Sequence, residues 1–247
     1  MHYIVLDLEF NQDFPSLRNF VIEGRKYPFE IIQIGAIKLD INLEISGIFN
    51  AYVKPKFYSK VNSFITELTG ISTEQLETEN EFPDVYNDFI RFIDDKKAIF
   101  CIWGMSDIKE LFRNTYYHKL DDKHLSRMYI NLQPHTSKYL GLSSKKLIKL
   151  QSAVEKLNIP IQYEFHNAVC DAYYTAEVFK KIYSPSIEAK RYDPFYVRVR
   201  PLKRKREIDY DGLIKQFNKM FEREMNEEEI EIIKLAYKMG KTHQFLE

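Results

Sequence analysis

Four carboxylates and one histidine sit where metal-assisted phosphodiester chemistry would need them: Asp7, Glu9, Asp107, His166 and Asp171. The first two lie in the run Tyr3-Ile4-Val5-Leu6-Asp7-Leu8-Glu9-Phe10, which is nearly all apolar and reads as a buried strand carrying two acids. Side chains alternate along a strand, so Asp7 and Glu9 point the same way, about 7 Å apart, and can converge on one cation. An unpartnered buried carboxylate costs several kcal/mol, so such a pair is normally protonated, ion-paired or metal-bound. An acid pair at a frayed strand end is the plainer alternative. Position is what distinguishes these acids, because most of the 36 Asp and Glu residues belong to solvated surface.

Asp107 follows the apolar stretch Ile99-Phe100-Cys101-Ile102-Trp103 and the turn residue Gly104. With Ser106 as N-cap, Asp107 falls in the first turn of a helix at the carboxyl end of a strand, where open α/β sheets place their ligands. The helix dipole by itself also favours an acid there. Further on, Ala168, Ala172, Ala176 and Phe179 recur at helical spacing, which puts Asp171 early in an amphipathic helix whose small residues allow close approach to a sheet. Five helical steps would turn His166 about 140° away from Asp171, so His166 belongs to the loop before that helix, free to swing toward a bound metal. A histidine beside an apolar segment is otherwise a structural residue.

In this order the residues resemble the DEDDh branch of 3′-to-5′ exonucleases. The resemblance rests on D-x-E at Asp7 and Glu9, W-G-x-x-D from Trp103 to Asp107, and H-x-x-x-x-D-A from His166 to Ala172, and covers about residues 1 to 185. The run Glu30-Ile31-Ile32-Gln33-Ile34-Gly35-Ala36-Ile37 is similar to the family's second strand, and Leu68-Thr69-Gly70-Ile71 to its substrate-side loop. The stretch from Asn11 to Phe29 reads as an unusually long connecting loop that could alter access to the site. The resemblance implies an α/β, RNase H-like three-layer fold with a mixed central sheet flanked by helices. It also implies two Mg²⁺ or Mn²⁺ ions per site. Asp7, Glu9 and Asp171 would hold one ion, Asp7 would bridge to the second, and Asp107 would support the second through water. His166 would be the general base, alongside Glu9 in the catalytic set. Phe10, Leu68 and Thr69 are the expected substrate contacts, Phe10 or a side chain near Leu68 stacking on an unpaired terminal base.

That residue set suits the chemistry. Hydrolysis of a phosphodiester requires water to be activated beside a crowded anion, a task two cations roughly 3.5 to 4 Å apart perform together. Hard oxygen donors suit those ions, and no thiolate or histidine-rich cluster points to zinc or iron. Histidine is the side chain able to accept a proton near neutral pH, and losing such a base typically costs about 100- to 10,000-fold in rate.

The expected activity is therefore 3′-to-5′ removal of nucleoside 5′-monophosphates from single-stranded RNA or DNA with a free 3′ end. The alternative is a non-catalytic nucleic-acid-binding or regulatory module that kept the fold. Buried acids destabilise a chain that has no cation to hold, which favours the enzyme. The chain has 247 residues, 45% of them apolar, 29% charged, and a net charge of zero. A domain that held long nucleic acid by bulk attraction would usually be basic, so any electrostatic grip must be local, as in an enzyme holding a few terminal nucleotides. Both cysteines, Cys101 and Cys170, lie in apolar segments and read as small core residues outside any disulfide framework. No apolar run approaches 18 residues and no basic leader opens the chain, so the expectation is a cytoplasmic protein without membrane association. No motif indicates a protein partner.

Strands are expected near 2 to 9, 30 to 40 and 45 to 54, the last two joined as a hairpin through residues 40 to 44. Ser72 with Gln75 resembles a capping box. Helices follow near 83 to 95, 107 to 116, 146 to 157 and 168 to 183, with strands near 98 to 103 and 127 to 133. The exonuclease domain is expected to span 1 to 188, and 189 to 247 to be a basic linker followed by a small α-helical C-terminal extension. Residues 198 to 206 carry six basic side chains in nine positions, either a solvated linker or a track for a phosphate backbone. Beyond them, Leu213, Ile214, Phe217, Met220 and Phe221 form one helical stripe, and a second helix opens at Asn226 with Glu229 as capping partner. Such stripes ordinarily pack onto the main domain; a nucleic-acid or dimer contact is the alternative.

Overall fold

The computed structural model describes residues 2–12, 29–94, 97–143, 146–196 and 208–241. The apolar amino-terminal run forms β1 (Tyr3–Asn11), followed by β2 (Glu30–Leu39) and β3 (Ile45–Tyr52). The predicted hairpin between β2 and β3 is present: Asp40 closes the turn through its side chain and backbone, and Leu43 takes a left-handed conformation at φ 63°. Three helices follow, α1 (Ser63–Thr69), α2 (Thr73–Leu76) and α3 (Phe82–Ile93), then β4 (Ile99–Ile102) and α4 (Ser106–Tyr117). The first unit continues through β5 (Met128–Asn131), α5 (Leu132–Tyr139), α6 (Leu150–Lys156), α7 (Ala168–Ile182) and the short β6 (Lys190–Arg191).

The strands form one mixed sheet in the order β3-β2-β1-β4-β5-β6. Strand β1 runs antiparallel to β2, Asp7 opposite Gly35 and Glu9 opposite Gln33, with a bulge between Glu9 and Phe10. It runs parallel to β4, which is parallel to β5. Alternation divides the core into two layers. Ile4, Leu6 and Leu8 face α3 and α4, whereas Tyr3 and Val5 face α6 and α7. The result is the expected three-layer arrangement, with β1 central and buried on both faces.

Several local expectations are corrected. Ser106 is the first residue of α4 rather than its N-cap; Met105 takes that position and makes no side-chain cap. The cause is Gly104, whose left-handed φ of 94° and N–H bond to Asn131 Oδ1 (3.1 Å) turn the chain into the helix one residue early. Helix α6 begins at Leu150, shorter than the span from 146. Helices α1 and α5 were not anticipated, and each is opened by an asparagine whose side chain accepts a backbone N–H, Asn62 from Phe64 and Asn131 from Gln133. Leu68 and Thr69 close α1 rather than forming a loop. Asn11 belongs to β1, opposite Glu30, so the long spacer starts later than expected; residues 13–28 lie outside the described residues. Cys101 is fully buried, but Cys170 is only half-buried, and both are free thiols.

The chain divides into two compact units, Met1–Tyr196 and Val197–Glu247. Within the second, α8 (Tyr210–Phe221) carries the predicted apolar stripe and α9 (Glu227–Lys241) opens with the predicted box. Glu229 N–H donates to Asn226 Oδ1 and Asn226 N–H to Glu229 Oε2, both at 2.9 Å. The basic stretch 198–206 lies outside the described residues. Among the described residues, no helix is long and apolar enough to cross a membrane.

Candidate active site

Three elements deliver the acids to the carboxyl end of β1. Strand alternation places Asp7 and Glu9 on the face covered by α7, and that helix brings Asp171 down from its first turn. One carboxylate oxygen from each of Asp7, Glu9 and Asp171 lies within 4.8 Å of the others. Asp107, in the first turn of α4, approaches from the opposite face of the sheet. It is 5% exposed, and its carboxylate accepts the backbone N–H of Leu8, between the two β1 acids.

Close approach of α7 requires Gly35. A Cβ at that position would overlap the Ala168 carbonyl group and the Val169 nitrogen, so the helix start rests directly on β2 beside Asp7. The alanines of α7, predicted to permit such packing, are fully buried at 168, 172 and 176.

Among the described residues, the charges acting on Asp7, Glu9 and Asp107 are those of other acids. Burial, then the neighbouring charges of Asp107, Asp171 and Glu9, push the Asp7 carboxyl well above the ordinary range. Burial, then the charges of Asp171 and Asp107, raise Glu9 to about 8. Asp107 rises to about 7, chiefly by burial, against the lowering effect of its backbone hydrogen bonds. Asp171 rises to about 6 by burial, opposed by its bond from the His166 backbone. Four acids so placed cannot all ionise at neutral pH without a cation. Asp171 Oδ1 is buried with no hydrogen-bond partner, while Oδ2 accepts the His166 N–H at 3.2 Å. An all-oxygen donor set with one oxygen left unpartnered fits a hard divalent cation.

His166 lies on the loop before α7, as its spacing requires, exposed and at φ 65°. Its backbone N–H donates to Asp171, and the charge of its ring also favours the ionised Asp171 carboxylate. Of the three expected substrate contacts, Leu68 is 41% exposed at the end of α1. Thr69 uses its hydroxyl within that helix end, donating to the Ile65 carbonyl and accepting from Ile71 N–H. Phe10 packs its ring on Phe29 at 5.7 Å and against the core, at the strand end adjoining Glu9.

Three polar residues that organise this end of the sheet were not singled out from the sequence. Asn11, fully buried, donates to the Lys60 carbonyl and accepts from Asn62 N–H, fastening the start of α1 to the end of β1. The Glu30 carboxylate gathers the N–H groups of Lys56, Phe57 and Tyr58. Gln33, also fully buried, bonds to Ala168, Asn167 and Asn50. The readable signal for Gln33 was an amide in the middle of the run Ile31-Ile32-Gln33-Ile34, where only a satisfied polar group is tolerated.

A six-stranded mixed sheet between helical layers, with Asp7, Glu9 and Asp171 gathered at the end of its central strand, is an RNase H-like fold. The exonuclease family of the RNase T type matches residues 4–179, and the chain belongs to it. It is 26% identical over 180 residues to the 3′-5′ exoribonuclease 1 of Rattus norvegicus, covering 68% of this chain and 51% of that protein. Over 150 residues it is 29% identical to the PolC-type DNA polymerase III of Thermotoga maritima, covering 61% of this chain and 10% of that protein. The chain thus spans about half of one relative and a tenth of the other. Among solved structures, the nuclease domain of 3′hExo, a DEDDh family member bound to rAMP, superposes with a TM-score of 0.65 at 22% identity, covering 78% of this chain and 96% of that one. Exonuclease I of E. coli in complex with a dA16 oligonucleotide gives 0.56 at 17% identity, covering 73% and 40%.

Proposed function

We propose that the chain is a divalent-metal-dependent 3′-to-5′ exonuclease that removes nucleoside 5′-monophosphates from single-stranded nucleic acid, its catalytic machinery lying wholly in the first unit. The observation that carries this reading is the convergence of Asp7, Glu9 and Asp171 within 4.8 Å around an unpartnered buried oxygen. These three would hold one Mg²⁺ or Mn²⁺ ion, and Asp7 with Asp107 a second. Bound there, the two cations supply the positive charge that a phosphodiester needs as water attacks its phosphorus.

The chain's own residues supply the rest. The Leu8 N–H favours the ionised form of the Asp107 carboxyl, the form that would face a cation. His166 stands outside the carboxylate cluster, on the side from which water arrives, and takes the proton of the attacking water. The P–O3′ bond breaks, the phosphate leaves with the terminal nucleoside, and the O3′ of the shortened strand takes a proton from solvent water to become a 3′-hydroxyl. Leu68, exposed on α1, and Phe10, at the end of β1, form the apolar side on which a terminal base rests, and Thr69 holds the end of α1 in shape. Relatives of both RNA and DNA type support the general reaction without ranking the two sugars.

The test is incubation with 5′-labelled single-stranded RNA and matched DNA, with Mg²⁺, Mn²⁺ or chelator, beside Asp7→Asn and His166→Ala. A metal-dependent ladder shortening from the 3′ end, lost in both variants, is expected. Binding without degradation would instead support a non-catalytic module.

A further inference from the structure

A helix leaves its first N–H groups unsatisfied, and the side chain of its own N-cap residue commonly accepts one of them. Helix α7 departs from this: Asn167, at its N-cap, makes no such bond. Its Oδ1 instead accepts from Gln33 Nε2 at 3.2 Å, while Gln33 Oε1 accepts the N–H of Ala168 at 3.1 Å. The second Nε2 hydrogen goes to Asn50 Oδ1 at 2.9 Å. The cap of the helix is therefore supplied from β2, by a fully buried amide opposite Glu9. Gly35, two residues on, meets the same helix start from beneath. Together they fix how far the helix lies from the sheet and how it is rotated.

We propose that Gln33 is a positioning residue for Asp171 and His166, holding the first turn of α7 so that the Asp171 carboxylate meets Asp7 and Glu9, and fixing the extended Asn167 that follows the left-handed His166. This inference rests on the metal-dependent hydrolysis proposed above. The chemistry calls for an amide: one acceptor and two donors are used at once, toward a helix start, a loop and a neighbouring strand. Leucine would fill the space but leave three polar groups without partners. Loss of an outer partner of a metal ligand typically costs about 10- to 100-fold in metal affinity or activity.

The experiment uses the full chain, as wild type, Gln33→Leu and Asn167→Ala, with calorimetric Mn²⁺ titration, melting curves and steady-state kinetics on a labelled oligonucleotide. For Gln33→Leu, Mn²⁺ affinity should fall roughly tenfold and kcat about 10- to 100-fold, with KM within about twofold of wild type. Asn167→Ala, which removes one of the three bonds, should move the same quantities in the same direction by less. In a His166→Ala background, Gln33→Leu should cost less in kcat while its loss of Mn²⁺ affinity persists. Should Gln33→Leu fail to fold, Asn167→Ala decides. If the folded variants only melt earlier, with Mn²⁺ affinity and kcat within about twofold of wild type, Gln33 is a packing residue and the proposal falls while the enzyme reading stands. If wild type neither binds Mn²⁺ nor cleaves, the functional reading fails and takes this inference with it.

Discussion

At the scale of single residues, the acids at the end of β1 oppose folding in the absence of a cation. Their folded-state carboxyls are raised, Glu9 to about 8, Asp107 to about 7 and Asp171 to about 6, with Asp7 raised as well. Above the ordinary carboxylate range near 4, the folded protein therefore holds more protons than the unfolded chain, and stability falls as pH rises from about 4 to about 8, each acid ceasing to contribute once its own folded value is passed. Metal-free protein should melt lower at pH 8 than at pH 5, Asp7→Asn should flatten that slope, and Mn²⁺ should raise the melting temperature most at pH 8. A metal-free melting temperature that climbs over this interval would refute the electrostatic account. Asp7→Asn is also expected to stabilise the metal-free protein while abolishing cleavage, and His166→Ala to lower kcat about 100- to 10,000-fold with its melting temperature little changed. The acids were legible because an apolar strand carrying Asp7 and Glu9 is costly without a purpose. Asn11 and Gln33 were harder to read, because their meaning lies in partners that are remote in sequence.

At the scale of elements, the site depends on α7 touching β2 without a gap. Gly35→Ala would set a methyl group against backbone rather than against a side chain that can rotate away. Overpacking typically costs about 1 to 3 kcal/mol, and here the displaced element carries Asp171. Urea unfolding should show that loss and turnover should fall with it; an unchanged rate would mean the helix start is not what sets the site. Most strands and the long helices were legible from period and length. Helices α1 and α5 were missed because seven or eight residues hold too few turns to show a stripe. Their asparagine caps and the left-handed Gly70 were the readable signs. Ser106 was misplaced by one residue because Gly104 alters the entry to α4 through a bond to Asn131, which no local pattern reveals.

At the scale of the whole molecule, every proposed ligand and the proposed base lie in the unit Met1–Tyr196. Residues 1–196 alone are expected to bind Mn²⁺ and to trim short oligonucleotides at a rate within about threefold of the full chain. If residues 198 to 206 grip a phosphate backbone, deleting them should raise KM for long substrates and flatten its salt dependence, with kcat preserved. Unchanged KM and salt slope would assign that stretch to linker alone. The left-handed backbone at His166 adds a historical dimension. At φ 65°, glycine would be easier by about 1 kcal/mol, since it lacks the Cβ that crowds the carbonyl. A lineage released from catalysis would therefore slide toward glycine here under selection for stability alone, making this position a built-in record of whether turnover is still demanded.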